Sequence, residues 1–404
     1  MSDTDFENAP PVSCDALVVG AGPAGLMAAD EMSRAGLRVV IAEAKPSPAR
    51  KFLMAGKSGL NLTKNEDLDA FIAAYDPCPP AMKEALRSFG PQDAIAWAEA
   101  LGQEMFTGST GRVFPKGMKA SPLLRAWLSK LDAQGVTSRR NWRLTRIEDG
   151  YSFETPEGAR RLAPIVTVLA LGGASWARLG SNGQWQDMIE NVGVVAPFRA
   201  SNVGVRLSWS PHMEKFFGTA VKNISLSAGA YASRGEMVIS RKGLEGGGVY
   251  SVSRGFRDGA ALVVDLMPDW DEARLKQALK RRKSKETTAN FLRKTLRLPP
   301  EKIGLLMEFA RPLPDDLAPV LKALTIGDAQ PAPLDEAIST AGGVSFDALT
   351  SELAFKVRPN LFAAGEMLDW DAPTGGYLIT GCLATGRIAG RGAISAFARA
   401  SQGG

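Results

Sequence analysis

The segment Ala16-Leu17-Val18-Val19-Gly20 followed by Ala21-Gly22-Pro23-Ala24-Gly25 constrains this chain more than any other. A short apolar run rich in β-branched residues reads as a buried strand, and the residues from about Ala24 to Arg34, closed by Gly36, read as a helix. Leu37 to Ala42 is a second buried strand, so the opening forty residues make a βαβ unit and require a parallel sheet with covered faces. The Gly20-x-Gly22-x-x-Gly25 spacing sits on the turn between strand and helix, where glycine allows a tight bend and lets backbone N–H groups approach a pyrophosphate. Glu43 closes the next strand, where a carboxylate accepts hydrogen bonds from a ribose diol and repels a 2′-phosphate. NAD and FAD both satisfy this pair, and NADP does not.

With 404 residues the chain is long enough for two or three domains. Two helical stretches follow the βαβ unit, about Ala81 to Leu101 and Ser121 to Gln134, and then a strand from Ile165 to Leu171. From about Val194 short strands dominate (Val203 to Ser208, Ile224 to Ser227, Glu236 to Ser240 and Ala261 to Leu266). Trp270 to Leu324 is helical in period, broken at Pro299-Pro300, Pro312 and Pro314. A strand at Leu361 to Ala364 and a last helix from about Leu383 to Arg399 return to the first domain. The expected organisation is an FAD-binding domain from residues 1–193 and 341–404, a β-rich substrate or cap domain from 194–268 with 326–340, and a helical insert over 269–325.

Composition narrows the chemistry. One histidine, His212, and three scattered cysteines, Cys14, Cys78 and Cys382, exclude His-rich or CxxC metal sites and a disulfide framework, and a reducing cytoplasm is expected. No metal is expected. The longest apolar stretch, Ile165 to Ala174, is shorter than the roughly 18 residues of a membrane span. The formal charge of +5 is concentrated: 271–297 holds ten Lys/Arg against three Asp/Glu. Such a patch attracts polyanions, RNA among them, although a solvated helix face is the commoner meaning of a charge run.

Leu361-Phe362-Ala363-Ala364-Gly365-Glu366 is a strand running into Gly-acid and is similar to the second fingerprint of FAD proteins, whose acid binds the ribityl chain. Together with Gly56 to Thr63 (GKSGLNLT), Gly111-Arg112-Val113-Phe114-Pro115, Ala341-Gly342-Gly343-Val344 and Thr374-Gly375-Gly376-Tyr377, it gives a chain that resembles the bacterial Rossmann-fold flavoproteins of the aminoacetone oxidase and rRNA dihydrouridine synthase-like family. The resemblance spans nearly the whole chain. It implies an α/β fold in which an FAD-binding Rossmann-like domain of the two-dinucleotide-binding-fold type is interrupted by a β-barrel-like domain and a small helical insert.

The cofactor contacts so implied are Gly20, Gly22, Pro23, Ala24, Gly25, Glu43, Ala44, Lys51, Gly56, Ser58, Gly59, Asn61, Gly172, Gly173, Gly365, Glu366, Gly375, Gly376 and Tyr377. Leu60 stands where the family carries cysteine and Ser240-Arg241 where many members carry Thr-His, so neither a thiol nor that histidine is present for catalysis. Tyr377, Tyr250 and then Lys57 are the candidates for proton transfer. The implied activity is NAD(P)H-dependent reduction of an activated C=C, in RNA or in a small enone. FAD-dependent amine oxidation with O2 and non-catalytic flavin binding are the alternatives. With no second GxGxxG after a strand, NAD(P)H would dock transiently as donor.

Overall fold

A computed structural model of the protein describes residues 14–282 and 285–402. Its central sheet has six strands in the order Ala354–Phe355, Arg358–Ala363, Val166–Leu169, Ala16–Val19, Val39–Glu43 and Thr137–Arg140. All neighbouring pairs are parallel except the first, which is antiparallel. Ala16–Val19 and Val166–Leu169 are buried at every position, as expected for strands covered on both faces.

The expected βαβ unit is present: the helix Pro23–Arg34 follows the first strand, and the next strand is Val39–Glu43. Proline at the start of that helix has no N–H to leave unsatisfied and brings a φ suited to the first turn.

One face of the sheet is covered by Pro23–Arg34 packed against the C-terminal helix Tyr377–Gln402. A Cβ on Gly386 would lie 2.3 Å from the Ala24 carbonyl oxygen and one on Gly390 would lie 2.9 Å from that of Ala28, so these glycines set the closeness of the two helices. This helix starts at Tyr377, well before the expected Leu383. Gly381, Gly386, Gly390 and Gly392 all lie within it as packing residues.

The stretch expected to be helical from Ala81 to Leu101 is two helices, Pro80–Ser88 and Pro91–Ala100, because Pro91 starts a new helix directly after Gly90. Two small antiparallel sheets flank the core. One has the order Thr63–Lys64, Arg112–Pro115, Met105–Thr107; the other is the meander Arg143–Ile147, Tyr151–Thr155, Gly158–Leu162.

The chain divides into two compact units, 1–199 with 339–404, and 200–338. The second unit holds its own core of buried side chains, including Ile224, Leu226, Met237, Ile239, Phe291 and Leu306. Its seven-stranded sheet runs Leu324–Thr325, Val263–Asp265, Ala220–Ala228, Tyr231–Ser240, Gly243–Glu245, Val205–Arg206, Gln330–Pro331. The two edge strands are neighbours in sequence, joined by residues 326–329, a connection that reaches about 18 Å at most. A flat seven-stranded sheet would set its edges about 29 Å apart, so this one must curl toward a barrel.

Helices Glu272–Leu279, Thr288–Thr295, Pro300–Phe309 and Ala318–Lys322 complete this unit. Asp271 and Thr287 cap the first two, each accepting a backbone N–H from three residues on. Pro300–Phe309 is pinned by Lys302, 5% exposed, whose Nζ donates to the carbonyls of Asn223 at 2.7 Å and Leu266 at 2.6 Å.

Candidate cofactor site

The turn after the first strand divides its three glycines by task. Gly20 has φ +101°, and a Cβ there would lie 2.3 Å from the Ala170 carbonyl oxygen; a Cβ on Gly25 would lie 1.9 Å from that of Gly20. Both positions exclude any side chain, one for the bend and one for the packing of helix on strand. Gly22 faces open space, with nothing within 4 Å of a Cβ built on it. It is also the residue preceding the helix and lends it no side-chain cap, so the N–H groups of the first turn face a space that an anion can enter.

Glu43 borders this turn. Its Oε2 accepts the Ala21 N–H at 2.9 Å and its Oε1 accepts the Lys45 N–H at 2.8 Å, which leaves each oxygen a lone pair for a ligand hydroxyl. Burial raises its pKa, and the two N–H bonds counter that rise.

Glu366 organises the opposite side. Its Oε1 accepts the Thr340 N–H at 3.1 Å, and its Oε2 accepts the Gly173 N–H at 3.3 Å and the Lys51 Nζ at 3.4 Å. The Thr340 hydroxyl accepts the Ala174 and Ser175 N–H groups at 3.0 and 3.1 Å. Lys51, Gly173 and Glu366, named from sequence for different reasons, are thus one hydrogen-bonded group. Thr340 ties them together and carried no sequence signal of its own. Gly172 stands beside them, its carbonyl accepting from the Trp185 indole at 2.9 Å.

The loop 56–63 is held to the strand Arg112–Pro115 and its extension by Leu60 N–H to Met118 O and Leu62 N–H to Val113 O, both 2.9 Å. Gly56 backs onto Ala120, with 2.5 Å between a built Cβ and the Ala120 Cβ, so it serves packing. Leu60 is fully buried and fills the core where a thiol was absent from the sequence pattern. Lys57 and Ser58 are exposed, and Lys57 contributes its carbonyl to the Lys119 ammonium at 3.5 Å.

Gly376, at φ +98°, passes directly over Thr63, where a Cβ would come within 2.4 Å of the Thr63 Cα. Tyr377 follows it and is 5% exposed. Its ring stacks on Phe71 with centroids 4.6 Å apart; its hydroxyl donates to Glu66 Oε1 at 2.5 Å and accepts from Lys64 Nζ at 3.0 Å. Burial, with the Glu66 carboxylate behind it, pushes the phenol pKa up to about 12, so it stays protonated at physiological pH. Tyr250 belongs to the second unit, in the short helix Gly247–Ser251, half-buried, with its phenol also raised by burial.

Six buried side-chain polar atoms of this unit have no hydrogen-bond partner among the described residues, and three of them are Arg50 Nε, Asn61 Oδ1 and Ser175 Oγ. Buried polar groups left unpaired are costly, and a bound polar ligand is one way to satisfy them. These three lie beside the features described above, Arg50 next to Lys51 in sequence, Asn61 within the loop 56–63, and Ser175 on Thr340. With the open Gly22 turn they fit a dinucleotide cofactor. Asn61 was among the expected contacts; Arg50 and Ser175 were not, because an arginine and a serine outside a motif look like surface residues in sequence. Among the described residues no group of His, Cys, Asp and Glu could hold a metal, and no helix is long and apolar enough to cross a membrane.

The model of the HI0933-like protein Rossmann domain matches residues 14–392. The 3-dehydro-bile acid delta(4,6)-reductase of Clostridium scindens is 26% identical over 408 residues, 93% of this chain and 98% of its own. The ribosomal RNA dihydrouridine synthase of Escherichia coli K12 is 26% identical over 382 residues, 90% of this chain and 94% of its own. Among solved structures, a flavocytochrome c3 fumarate reductase in its open conformation superposes with a TM-score of 0.53 at 17% identity, over 98% of this chain and 80% of that one. The FrdA subunit of Escherichia coli quinol fumarate reductase gives 0.52 at 15% identity, over 97% of this chain and 72% of that one.

Proposed function

Since the chain belongs to the HI0933-like Rossmann-domain flavoprotein family and is an FAD-dependent oxidoreductase, we propose that it reduces a C=C bond conjugated to a carbonyl, with NAD(P)H as the donor. The observation that carries this reading is the chemistry shared by two relatives that differ in substrate. A delta(4,6)-reductase saturates C=C bonds of a steroid skeleton, and dihydrouridine is uridine with its ring C=C saturated. Each relative aligns with at least 90% of this chain, so the similarity spans the sequence of both units. When bound, FAD supplies hydride transfer between donor and acceptor.

The chain's own residues hold and shape the site in this reading. The Gly20 to Gly25 turn with Pro23 and Ala24 takes the pyrophosphate, and Glu43 with Ala44 takes the adenosine ribose. Arg50, Lys51, Gly173, Ser175 and Glu366 take the diphosphate and ribityl region, and Gly59, Asn61, Gly375 and Gly376 border the flavin. Tyr377 is the proton-donor candidate that this arrangement supports, since its hydroxyl stays protonated and is fixed by Lys64 and Glu66. The exposed Lys57 and the half-buried Tyr250 have no comparable network.

RNA as the acceptor is favoured by one further observation. Arg274, Lys276, Lys280, Arg281, Arg282, Lys285, Arg293, Lys294 and Arg297 are all exposed on the second unit, and Lys276 alone among them is paired with carboxylates. Such cations supply the salt-dependent part of RNA affinity. A cytoplasmic enzyme acting on ribosomal RNA is consistent with this surface.

Anaerobic stopped-flow reduction by NADH and NADPH, followed by mixing with an enone, with rRNA fragments or with O2, tests the reading. Rapid reduction by one nicotinamide and faster reoxidation by the C=C acceptor than by O2 is the expected result. Peroxide formation with small amines, without reduction by either nicotinamide, would establish an amine oxidase instead.

A further inference from the structure

Two cations stand directly opposite each other beside the Gly375-Gly376 turn. In the antiparallel pairing of Thr63–Lys64 with Arg112–Pro115, Lys64 is the register partner of Arg112, so both side chains leave the same face. Like charges in this position repel each other unless a carboxylate offsets them. Here one is neutralised and the other is not. Lys64 pairs with Glu66 at 2.6 Å and with the Tyr377 hydroxyl, whereas the Arg112 guanidinium has no ion pair and no side-chain hydrogen bond among the described residues. Arg112 is half-buried, and its Nε lies 3.9 Å from where a Cβ of Gly375 would be. A partly desolvated arginine with five donors and no acceptor is a site for an oxyanion.

We propose that Arg112 binds the carbonyl oxygen of the acceptor and stabilises the enolate that forms as its C=C is reduced, an assignment that rests on the C=C reductase reading above. In that step hydride adds to the β-carbon, the π pair of the C=C shifts so that the carbonyl oxygen becomes anionic, and a proton, supplied by solvent water directly or by way of the Tyr377 hydroxyl, adds to the α-carbon as the enolate returns to the carbonyl. The acceptor gains two electrons and the reduced FAD loses two. The charge that appears on oxygen faces a cation already in place, which is where preorganised electrostatics contributes most. Lys64, paired with Glu66 and donating to the Tyr377 hydroxyl, is already satisfied and does not compete with Arg112 for the ligand.

The test separates acceptor chemistry from the donor by photoreducing the FAD-loaded full chain and mixing it with 2-cyclohexenone. Arg112→Gln is expected to slow reoxidation roughly 100-fold or more, and Arg112→Lys to recover part of that loss, since it keeps the charge but not the planar fork. An independent readout uses 4-methoxyphenolate as an oxyanion probe: its long-wavelength absorbance band with the oxidised flavin is expected in the wild type and at least tenfold weaker binding in Arg112→Gln. Flavin content and Tm are expected to match the wild type. Equal reoxidation and equal phenolate affinity in Arg112→Gln overturn the assignment while leaving the C=C reductase reading intact. A folded Arg112→Gln protein that purifies without FAD overturns it as well, by showing that Arg112 holds the cofactor. If the wild type reduces no enone, the reductase reading is what fails, and the phenolate titration alone then decides whether Arg112 is an anion site.

Discussion

The two units of this chain carry chemistry in opposite ways. In the unit formed by 1–199 and 339–404 the specific features are places where backbone must come close to backbone: Gly20 to Ala170, Gly25 to Gly20, Gly376 to Thr63. In the unit 200–338 the distinguishing feature is side-chain charge on an ordinary helical surface, over a core pinned by a buried lysine. A backbone approach tolerates no substituent, so it leaves a sharp mark in sequence. A charged surface tolerates exchange of one cation for another, so it leaves a composition and no motif.

This contrast can be broken most decisively at the glycine turn. Gly25→Val puts a branched side chain into the Gly20 carbonyl, and we expect a protein without bound flavin, read from its visible absorbance. Gly22→Ala meets no protein atom and is expected to keep the apo fold and its Tm while weakening FAD at least tenfold; unchanged affinity would mean that the pyrophosphate does not sit there.

In the second unit the largest expected cost is at Lys302. Replacing it by methionine leaves the Asn223 and Leu266 carbonyls without their donor and should lower stability by about 3 kcal/mol in urea unfolding, with flavin content preserved in the folded fraction. A change below about 0.5 kcal/mol would show that water replaces the ammonium at no cost.

A smaller effect separates the units by pH. Tyr377 has its pKa raised from 10.0 to about 12, so between those values the unfolded chain loses a proton that the folded chain keeps. Its contribution is therefore complete below pH 10 and declines as pH rises toward 12, by at most about 2 to 3 kcal/mol. Tyr377→Phe should flatten that segment of the stability curve measured by chemical unfolding; an unchanged slope would place the alkaline loss elsewhere.

The smallest change is expected from the basic helices. The combined substitution of Arg281, Arg282 and Lys285 by glutamine should lower the slope of log affinity against log salt for rRNA fragments by about 2, with the flavin spectrum untouched. An unaltered slope would remove this face from RNA binding.

The same contrast explains what was legible in the sequence. The strand-turn-helix of residues 16–34, Glu43 and the strand before Gly365-Glu366 were readable because each needs a particular residue type at a particular spacing. The start of the last helix was not, since Gly381, just before the expected start at Leu383, looks like a helix breaker until Tyr75 is seen against it. The two-residue strand Thr63–Lys64 is too short to have a period, and the opposition of Lys64 and Arg112 depends on a pairing between residues 48 apart in sequence. Thr340, which joins Glu366 to the 173–175 turn, is a lone threonine whose role comes wholly from tertiary placement.

The joining of the first and last helices through Gly386 and Gly390 also sets an order of events during protein synthesis. The ribosome releases the Gly20 to Gly25 turn first and the helix Tyr377–Gln402 last, with the whole second unit made in between. The nascent chain therefore carries half a cofactor cradle until that helix is made, and a chain stopped before it displays the bare face of the helix Pro23–Arg34. Loading of flavin then reports that the helix Tyr377–Gln402 has been made and has docked on Pro23–Arg34.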